Sequence, residues 1–173
     1  MNLIRKIRSD DYTQISKIIK LISFKQNELQ NGFLMSHIRK NIFEKLINSS
    51  KYCYVLEEDN GIKAFLLAYS NTLIKPTNDI NKHIINSFKD KFIYIYQIGV
   101  SPKFQKMGLG TLLYKKLFKD AKGQVIRVIS SAKPYNMASE KFHLSLSFKK
   151  IGLINRNDGG SNYIYERTEQ NSR

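Results

Sequence analysis

Six residues with the pattern Q-x-x-G-x-G, Gln105 to Gly110, stand between a predicted strand and a predicted helix and are the part of this chain best suited to chemistry. A helix start presents unpaired N–H groups and about half a positive charge to its surroundings. Glycine lacks the Cβ atom that would keep an anion away from that backbone. Gln105 and Lys106 add side-chain donors beside it. The segment therefore predicts a cradle for a pyrophosphate group.

The elements on either side must position this segment. Tyr94–Val100 is rich in β-branched and aromatic residues, which predicts a buried strand, and Pro102 ends it because proline cannot donate to a sheet. Apolar residues then recur at helical spacing as far as Ala121. The glycine spacing differs from the nucleoside-triphosphatase motif and from the dinucleotide motif. Taken alone, the pattern also fits a glycine-bearing turn in another kind of α/β domain.

The composition predicts an ordinary folded domain. With 173 residues, of which 42% are hydrophobic and 12% aromatic, we expect one domain over residues 1–168 and a polar tail over 169–173. No apolar run approaches the roughly 18 residues of a membrane span, so we expect no membrane partner. The opening residues lack the apolar core of a signal peptide, and Cys53 is the only cysteine, which together favour a reducing cytoplasm.

The net charge of +15 has two interpretations. It favours a surface that binds a polyanion such as nucleic acid. The lysines are spread over almost every segment, however, which a general bias toward solvated basic residues would also give. We favour the general bias and do not expect nucleic acid as a partner. In either case, a basic surface attracts a ligand that carries several phosphate charges.

The rest of the chain alternates strand and helix patterns. Strands are predicted at Leu3–Arg8, Tyr52–Glu57, Ile62–Ser70, Tyr94–Val100, Gln124–Ser130, Lys149–Asn155 and Ser161–Arg167, and helices after Ser9, at His37–Asn48, at Leu109–Ala121 and after Asn136. Asn60-Gly61 predicts a hairpin turn. The segment Asn71–Lys91 holds a further helical pattern and interrupts the expected meander. It is a flap over a substrate site, a contact in a homodimer or a tolerated surface insertion.

A second block of residues follows the strand that ends near Ser130. Its pattern is N-x-x-S-x-x-F-H, carried by Asn136, Ser139, Phe142 and His143. Together with the V-x-P and Q-x-x-G-x-G of the first segment, this block resembles the GNAT superfamily of N-acetyltransferases, and in particular a bacterial subgroup with the N-x-x-S-x-x-F-H motif. One departure is Ser147, which stands where the family usually has glycine and is expected to strain the turn that follows.

The resemblance implies a fold, a cofactor and a set of binding residues. The fold would be α/β (α+β), a GNAT fold with a single mixed, mostly antiparallel twisted sheet of six to seven strands flanked by about four helices. The cofactor would be acetyl-CoA. Its binding residues would be Ile98, Gly99, Val100, Gln105, Lys106, Met107, Gly108, Leu109, Gly110, Thr111, Asn136, Ser139 and Phe142. Gly99 would allow the pantetheine arm to approach the strand closely.

The resemblance also implies a reaction, the transfer of an acetyl group to a primary amine, and we expect direct attack in a ternary complex because the sequence offers no credible covalent nucleophile. His143 stands where many relatives have a tyrosine that protonates the leaving thiolate; the alternative is a histidine that packs or hydrogen-bonds on a helix face. No carboxylate occurs in Phe92–Val100, where some relatives have a glutamate base. Tyr94, Tyr96 or Gln97 is therefore expected to hold a water relay, unless the amine arrives already neutral; packing in the sheet is the alternative for the two tyrosines.

The acceptor would lie against Phe33, Leu34 and Met35, because the loop between the first two helices of GNAT proteins often lines the acceptor pocket; simple core packing is the alternative. We expect the amine to be a small molecule or a peptide. The three histidines offer no metal-binding spacing. Two other functions remain open: a non-catalytic acyl-CoA-binding domain, which the missing carboxylate favours, and a nucleic-acid-associated protein, which the charge favours.

Overall fold

The computed structural model describes residues 3–25, 32–59 and 61–168. Within them the chain forms seven strands and five α-helices. In chain order these are β1 (Leu3–Lys6), α1 (Tyr12–Leu21), α2 (Lys40–Ser49), β2 (Tyr52–Glu58), β3 (Gly61–Ser70), α3 (Asp79–Ser87), β4 (Phe92–Val100), α4 (Leu109–Asp120), β5 (Val125–Lys133), α5 (Met137–Ser145), β6 (Lys149–Asn155) and β7 (Ser161–Arg167). None of the helices in these ranges is long and apolar enough to cross a bilayer.

The strands form one sheet with the order β1-β2-β3-β4-β5-β7-β6, in which every neighbouring pair is antiparallel except β4 and β5. The parallel pairing runs only from Phe92 beside Val125 to Ile95 beside Val128. Beyond Ile95 the two strands separate, and β3 is the only sheet neighbour of the rest of β4 within the described chain. The sheet is therefore open on the β5 side of Tyr96–Val100.

Helices cover both faces of this sheet. On one face, α4 buries Leu113, Tyr114 and Leu117 against residues of β2, β3, β4 and β5. On the other face, α1 buries Ile15 and Ile19, and α2 and α3 pack beside it. The buried side chains belong to the apolar stripes that predicted these helices, although Ile42 of α2 and Leu112 of α4 stay exposed. The opening in the sheet therefore connects the face covered by α4 with the face covered by α1, α2 and α3.

A β-bulge in β4 determines which side chains reach the second face. Leu67 lies beside Gln97 and Ala68 lies beside Ile95, so Tyr96 is one extra residue in β4. Tyr96 packs with the apolar residues beside α1 and α3, and Gln97 reaches the loop before α2. The bulge therefore turns two consecutive polar side chains toward the same side of the opening.

The predicted mixed, mostly antiparallel sheet is confirmed, with corrections in detail. Five helices stand where about four were expected, because residues 71–91 contain α3. The second helix begins at Lys40 instead of His37. Ser147 has a φ of +63°, so the strain expected at this turn is present. Asn60 of the predicted hairpin turn and the predicted tail 169–173 lie outside the described residues.

Candidate active site

A cavity of about 780 Å³ occupies the opening between β4 and β5. It extends from the start of α4 to the loop before α2 and the start of α3. The predicted site residues that line it are Phe33, Leu34, Met35, Tyr94, Tyr96, Ile98, Gly99, Val100, Gln105, Lys106, Gly108, Leu109, Gly110, Thr111, Asn136, Ser139, Phe142 and His143. Met107 lies outside the lining, with 65% of its surface exposed. The fold thus brings two motifs that are distant in the sequence to one cavity.

The loop before α4 has the backbone shape of an anion cradle. Lys106 and Gly108 both have left-handed backbone, with φ of +64° and +77°. Left-handed residues within a turn can direct neighbouring N–H groups to one side, and here they stand at the start of a helix of 12 residues. Gln105 donates from Nε2 to the carbonyl oxygen of Val100 over 3.3 Å. This side chain therefore holds the loop to the end of β4.

Glycine is needed at three positions of the site, and the physical reason differs among them. An added Cβ on Gly108 would meet nothing within 4 Å, so this glycine is needed for its left-handed backbone and leaves open space beside it. A Cβ on Gly110 would lie 2.9 Å from the Phe142 ring, which makes Gly110 a close contact between α4 and α5. A Cβ on Gly99 would lie 2.5 Å from the Phe65 ring. Packing against Phe65 of β3 is therefore a reason for glycine at this position that the sequence did not disclose.

Asn136 and Gln97 clamp the loop before α2 to both walls of the cavity. The Oδ1 of Asn136 accepts from the Ser139 N–H at 3.1 Å, which caps α5 as its sequence position predicts. Its Nδ2 donates to the carbonyl oxygen of Phe33 at 2.9 Å. From β4, Gln97 donates Nε2 to the carbonyl oxygen of Ser36 at 2.8 Å. The placement of this loop therefore depends on α5 and on the bulged strand together.

His143 is buried, with 2% of its surface exposed, and both ring nitrogens are occupied. Nδ1 lies 2.7 Å from the Ser139 carbonyl oxygen, and Nε2 lies 2.7 Å from the Tyr114 hydroxyl. Because a carbonyl oxygen only accepts, Nδ1 carries the proton and Nε2 accepts from Tyr114. Burial lowers the pKa of His143 from 6.5 to about 4, so the ring is neutral at pH 7. This geometry supports the hydrogen-bonding alternative over an imidazolium acid.

Tyr94 and Tyr96 form an aromatic cluster with Tyr69, whose ring centroid lies 5.5 Å from that of Tyr94 and 6.1 Å from that of Tyr96. Burial raises the pKa of all three hydroxyls, so they stay protonated. They can hold a water or a ligand through hydrogen bonds, but they do not act as phenolate bases near neutral pH. Beside them, the Oε1 of Gln97 is buried without a hydrogen-bond partner in the described part of the chain.

Two further elements line the end of the cavity remote from the cradle, and their side chains were not among the predicted site residues. They are Asn78, Ile80 and Asn81 near the start of α3, and Arg156, Asp158 and Asn162 around the turn between β6 and β7. The Asn157 N–H donates to a carboxylate oxygen of Asp79 at 3.2 Å, which brings the two elements together. The helical pattern of residues 71–91 was a signal for the first group. No sequence signal indicated the second group, because a hairpin pattern does not show which element its turn will contact.

The chain belongs to the acetyltransferase (GNAT) family, whose sequence profile matches residues 6–148. Among solved structures, it is similar to Ard1 from Thermoplasma volcanium, at 14% identity over 98% of each chain with a TM-score of 0.72. It is similar to Arabidopsis thaliana NAA60 in complex with acetyl-CoA, at 14% identity over 98% of this chain and 100% of that chain with a TM-score of 0.71. A Drosophila melanogaster polyamine N-acetyltransferase that forms N-acetylagmatine is 12% identical over 98% of this chain and 100% of that chain, with a TM-score of 0.67. A search of curated protein sequences gave no match. At these identities the structural likeness establishes the fold, which is the predicted GNAT fold.

Proposed function

We propose that the protein is an acetyl-CoA-dependent N-acetyltransferase that acts on a primary amine by direct attack in a ternary complex. One observation carries the proposal: the anion cradle at α4 and the clamped loop before α2 face a single cavity along the open edge of β4. Family membership and the acetyl-CoA complex of a similar fold support it. On the N-x-x-S-x-x-F-H motif we assign the chain to the bacterial subgroup that it resembles.

The residues at the cradle fit acetyl-CoA. The left-handed Lys106 and Gly108 at the start of α4 suit a pyrophosphate, and the open edge of Ile98–Val100 suits an amide-containing arm that pairs like an added strand. Ser139 and Phe142 lie on the α5 side of the same cavity. When bound, acetyl-CoA supplies an acyl group activated as a thioester.

The chain contributes donors and proton handling at this edge. Alternate backbone N–H groups of Ile98–Val100 point to the open side and can stabilise negative charge on an acyl oxygen, an effect of about 10²–10³ in rate per donor. The amine must also lose a proton. Because Tyr94 and Tyr96 stay neutral, we assign them and Gln97 to holding a water that passes this proton to solvent.

Direct attack is favoured over a covalent acyl-enzyme. Cys53 is the only cysteine of the chain, and it is buried within β2. Burial raises the pKa of its thiol to about 11, so almost none of it is the nucleophilic thiolate at pH 7. It also does not line the cavity. The acceptor amine is therefore the nucleophile in this proposal.

For His143 we assign a positioning role in place of the expected acid role. Its Nδ1 lies 2.7 Å from the Ser139 carbonyl oxygen and 3.2 Å from the Ser139 hydroxyl, and Ser139 lines the cavity. Its Nε2 is bound to Tyr114 of α4. The ring therefore connects the helix that begins at the cradle with the helix that carries the second motif.

The test combines calorimetric binding of CoA with the release of free thiol from acetyl-CoA across a panel of amines. Binding together with amine-dependent thiol release is the expected result. Binding without release for any amine would favour the non-catalytic acyl-CoA-binding domain, which the lack of a carboxylate in Phe92–Val100 makes the main rival. No heat of binding at millimolar CoA would contradict the cofactor assignment.

A further inference from the structure

The end of the cavity remote from the cradle combines apolar side chains with the polar residues of α3 and of the β6–β7 turn described above. Its walls include Phe33, Leu34, Met35, Ile80, Tyr96 and Ile129. Met35 lines this cavity and is 47% exposed, so its apolar side chain is accessible to a ligand. Apolar walls with a few placed polar groups are typical of sites that bind an apolar ligand body.

Charge is costly beside the buried tyrosines of this wall. The tyrosine cluster beside β4 is desolvated enough that burial raises the pKa of Tyr94 and Tyr96. A surrounding that disfavours a phenolate also disfavours an ammonium that finds no partner there.

The carboxylate on this wall is already engaged. Asp158 lies 3.0 Å from the Nε of Arg156 and accepts from the Gly160 N–H at 2.9 Å. Arg156 also donates to the Oδ1 of Asn162 at 2.5 Å. The hairpin therefore presents an ion pair to the cavity, and although the Asp158 side chain is 65% exposed, the one carboxylate among the described residues of the lining already has a cationic partner.

Resting on the acetyltransferase function proposed above, we propose that the acceptor is a primary amine carried on an apolar body and that the site discriminates against amines with a second cationic group. Two sources share this chemistry: small arylalkylamines, and peptide N-termini that begin with a large apolar residue. The apolar wall contacts the body of the acceptor while its one amine reaches the open edge of β4. A second ammonium would lie either beside the desolvated tyrosine cluster or next to a carboxylate that already has a cationic partner.

The experiment measures kcat/KM at saturating acetyl-CoA for 2-phenylethylamine, for two short peptides that begin with Leu and with Asp, and for spermidine and agmatine. We expect 2-phenylethylamine or the Leu peptide to exceed both spermidine and agmatine by about tenfold or more, since one apolar group in a pocket is worth about 10–200-fold. Whichever of these two substrates has the higher kcat/KM shows whether the acceptor is a small arylalkylamine or a peptide N-terminus. Equal or faster turnover of spermidine or agmatine would overturn the proposal, and so would CoA binding without turnover of either apolar amine. Failure to bind CoA would instead contradict the acetyltransferase function itself.

Two pairs of variants test the physical cause. Asn78 is the exposed N-cap of α3, its Oδ1 accepting from the Asn81 N–H at 2.8 Å, so Asn78→Asp adds a carboxylate to the cavity at little cost to the helix. We expect it to raise spermidine turnover relative to 2-phenylethylamine by about three- to tenfold. Asn41→Asp adds the same charge on the exposed side of α2, away from the cavity, and should leave the ratio unchanged. An equal change in both variants would contradict the local charge argument.

The second pair removes apolar surface. Met35→Ser should raise the KM for 2-phenylethylamine by about three- to tenfold without weakening CoA binding, because the lost contact is with the acceptor body. Leu3→Ser removes a comparably exposed apolar side chain at the far edge of the sheet and is the matched control. An unchanged KM in Met35→Ser would overturn the assigned contact.

Discussion

At the scale of single residues, burial favours a hydrogen-bonding role for His143 over an acid role, a choice that its sequence position left open. The N-x-x-S-x-x-F-H pattern identified the residue but not its environment. Its partner Tyr114 lies 29 positions earlier on α4, and no local pattern links the two. The partner and the low pKa both follow from the packing of α5 on α4, which a motif does not encode.

The low pKa of His143 predicts a pH-dependent stability. The unfolded chain binds a proton at a pKa near 6.5, whereas the folded protein binds it only near pH 4. The free energy of unfolding should therefore fall as pH falls from 6.5 toward 4, by on the order of 2 kcal/mol between pH 7 and pH 5. Urea unfolding at both pH values measures this loss. His143→Gln should show a smaller loss, and an equal loss in both proteins would contradict the buried neutral ring.

The positioning role of His143 predicts a division between binding and turnover. His143→Gln should raise the KM for acetyl-CoA by about three- to tenfold and change kcat by less than about twofold, because placement is lost while no proton donor is. Steady-state kinetics with an amine that responds gives both constants. A large fall in kcat with a changed pH–rate profile would restore the acid role.

At the scale of elements, local signals predicted the start of α4 and the cap of α5 because glycine backbone and N-cap hydrogen bonds are local properties. The bulge at Tyr96 was not predictable from β4 alone, since a bulge exists only relative to the register of β3. The packing reason for Gly99 also depends on Phe65 of another strand. The sequence thus predicted the elements at the cavity but not how they meet.

The cradle gives a prediction with a matched control. Gly108 and Gly123 both have a φ of +77°, and an added Cβ on either would meet nothing within 4 Å. Alanine at each should therefore cost a similar conformational strain of about 1 kcal/mol in stability. Only Gly108→Ala should also weaken CoA binding, because Gly123 follows the far end of α4. Calorimetry and thermal melting separate the two effects, and equal CoA affinities would argue against the cradle.

The clamp at Asn136 predicts a graded loss of stability. Asn136→Ser keeps a side-chain oxygen for the cap of α5 but loses the donor to the Phe33 carbonyl oxygen, whereas Asn136→Ala loses both. We expect Asn136→Ser to lower the free energy of unfolding by about 1–2 kcal/mol and Asn136→Ala to lower it by about 1 kcal/mol more. Denaturant unfolding gives both values. If serine were as stable as the native protein, the bond to the loop would not contribute.

At the scale of the whole molecule, the site is a property of sheet topology. The sequence predicted seven strands, but the cavity exists because one parallel pair stands in an otherwise antiparallel sheet and separates after Ile95. Residues from the β6–β7 turn complete the cavity only because β7 inserts between β5 and β6. Strand order is a long-range property, and the strand patterns themselves do not specify it.

The charge of +15 gives a prediction about salt. Raising monovalent salt from about 50 mM to about 500 mM should weaken CoA binding several-fold, because screening reduces the attraction between a basic surface and a polyphosphate. Pantetheine, which lacks the phosphates, should show almost no change and serves as the control. Tight RNA binding with a steep dependence on salt would contradict the general-bias interpretation and support the nucleic-acid alternative.

The short junction between β4 and β5 has a mechanical consequence. Four residue pairs, from Phe92 with Val125 to Ile95 with Val128, join the half of the sheet that contains β1 to the half that contains β6. Arg127 reinforces this junction through ion pairs with Asp90 at 2.9 Å and Glu166 at 2.6 Å. Within the described sheet, these four pairs alone join the two halves, while α4 packs across both, and a ligand in the gap would contact both sides of the junction. Bound ligand should therefore slow amide hydrogen exchange along the paired residues of β4 and β5.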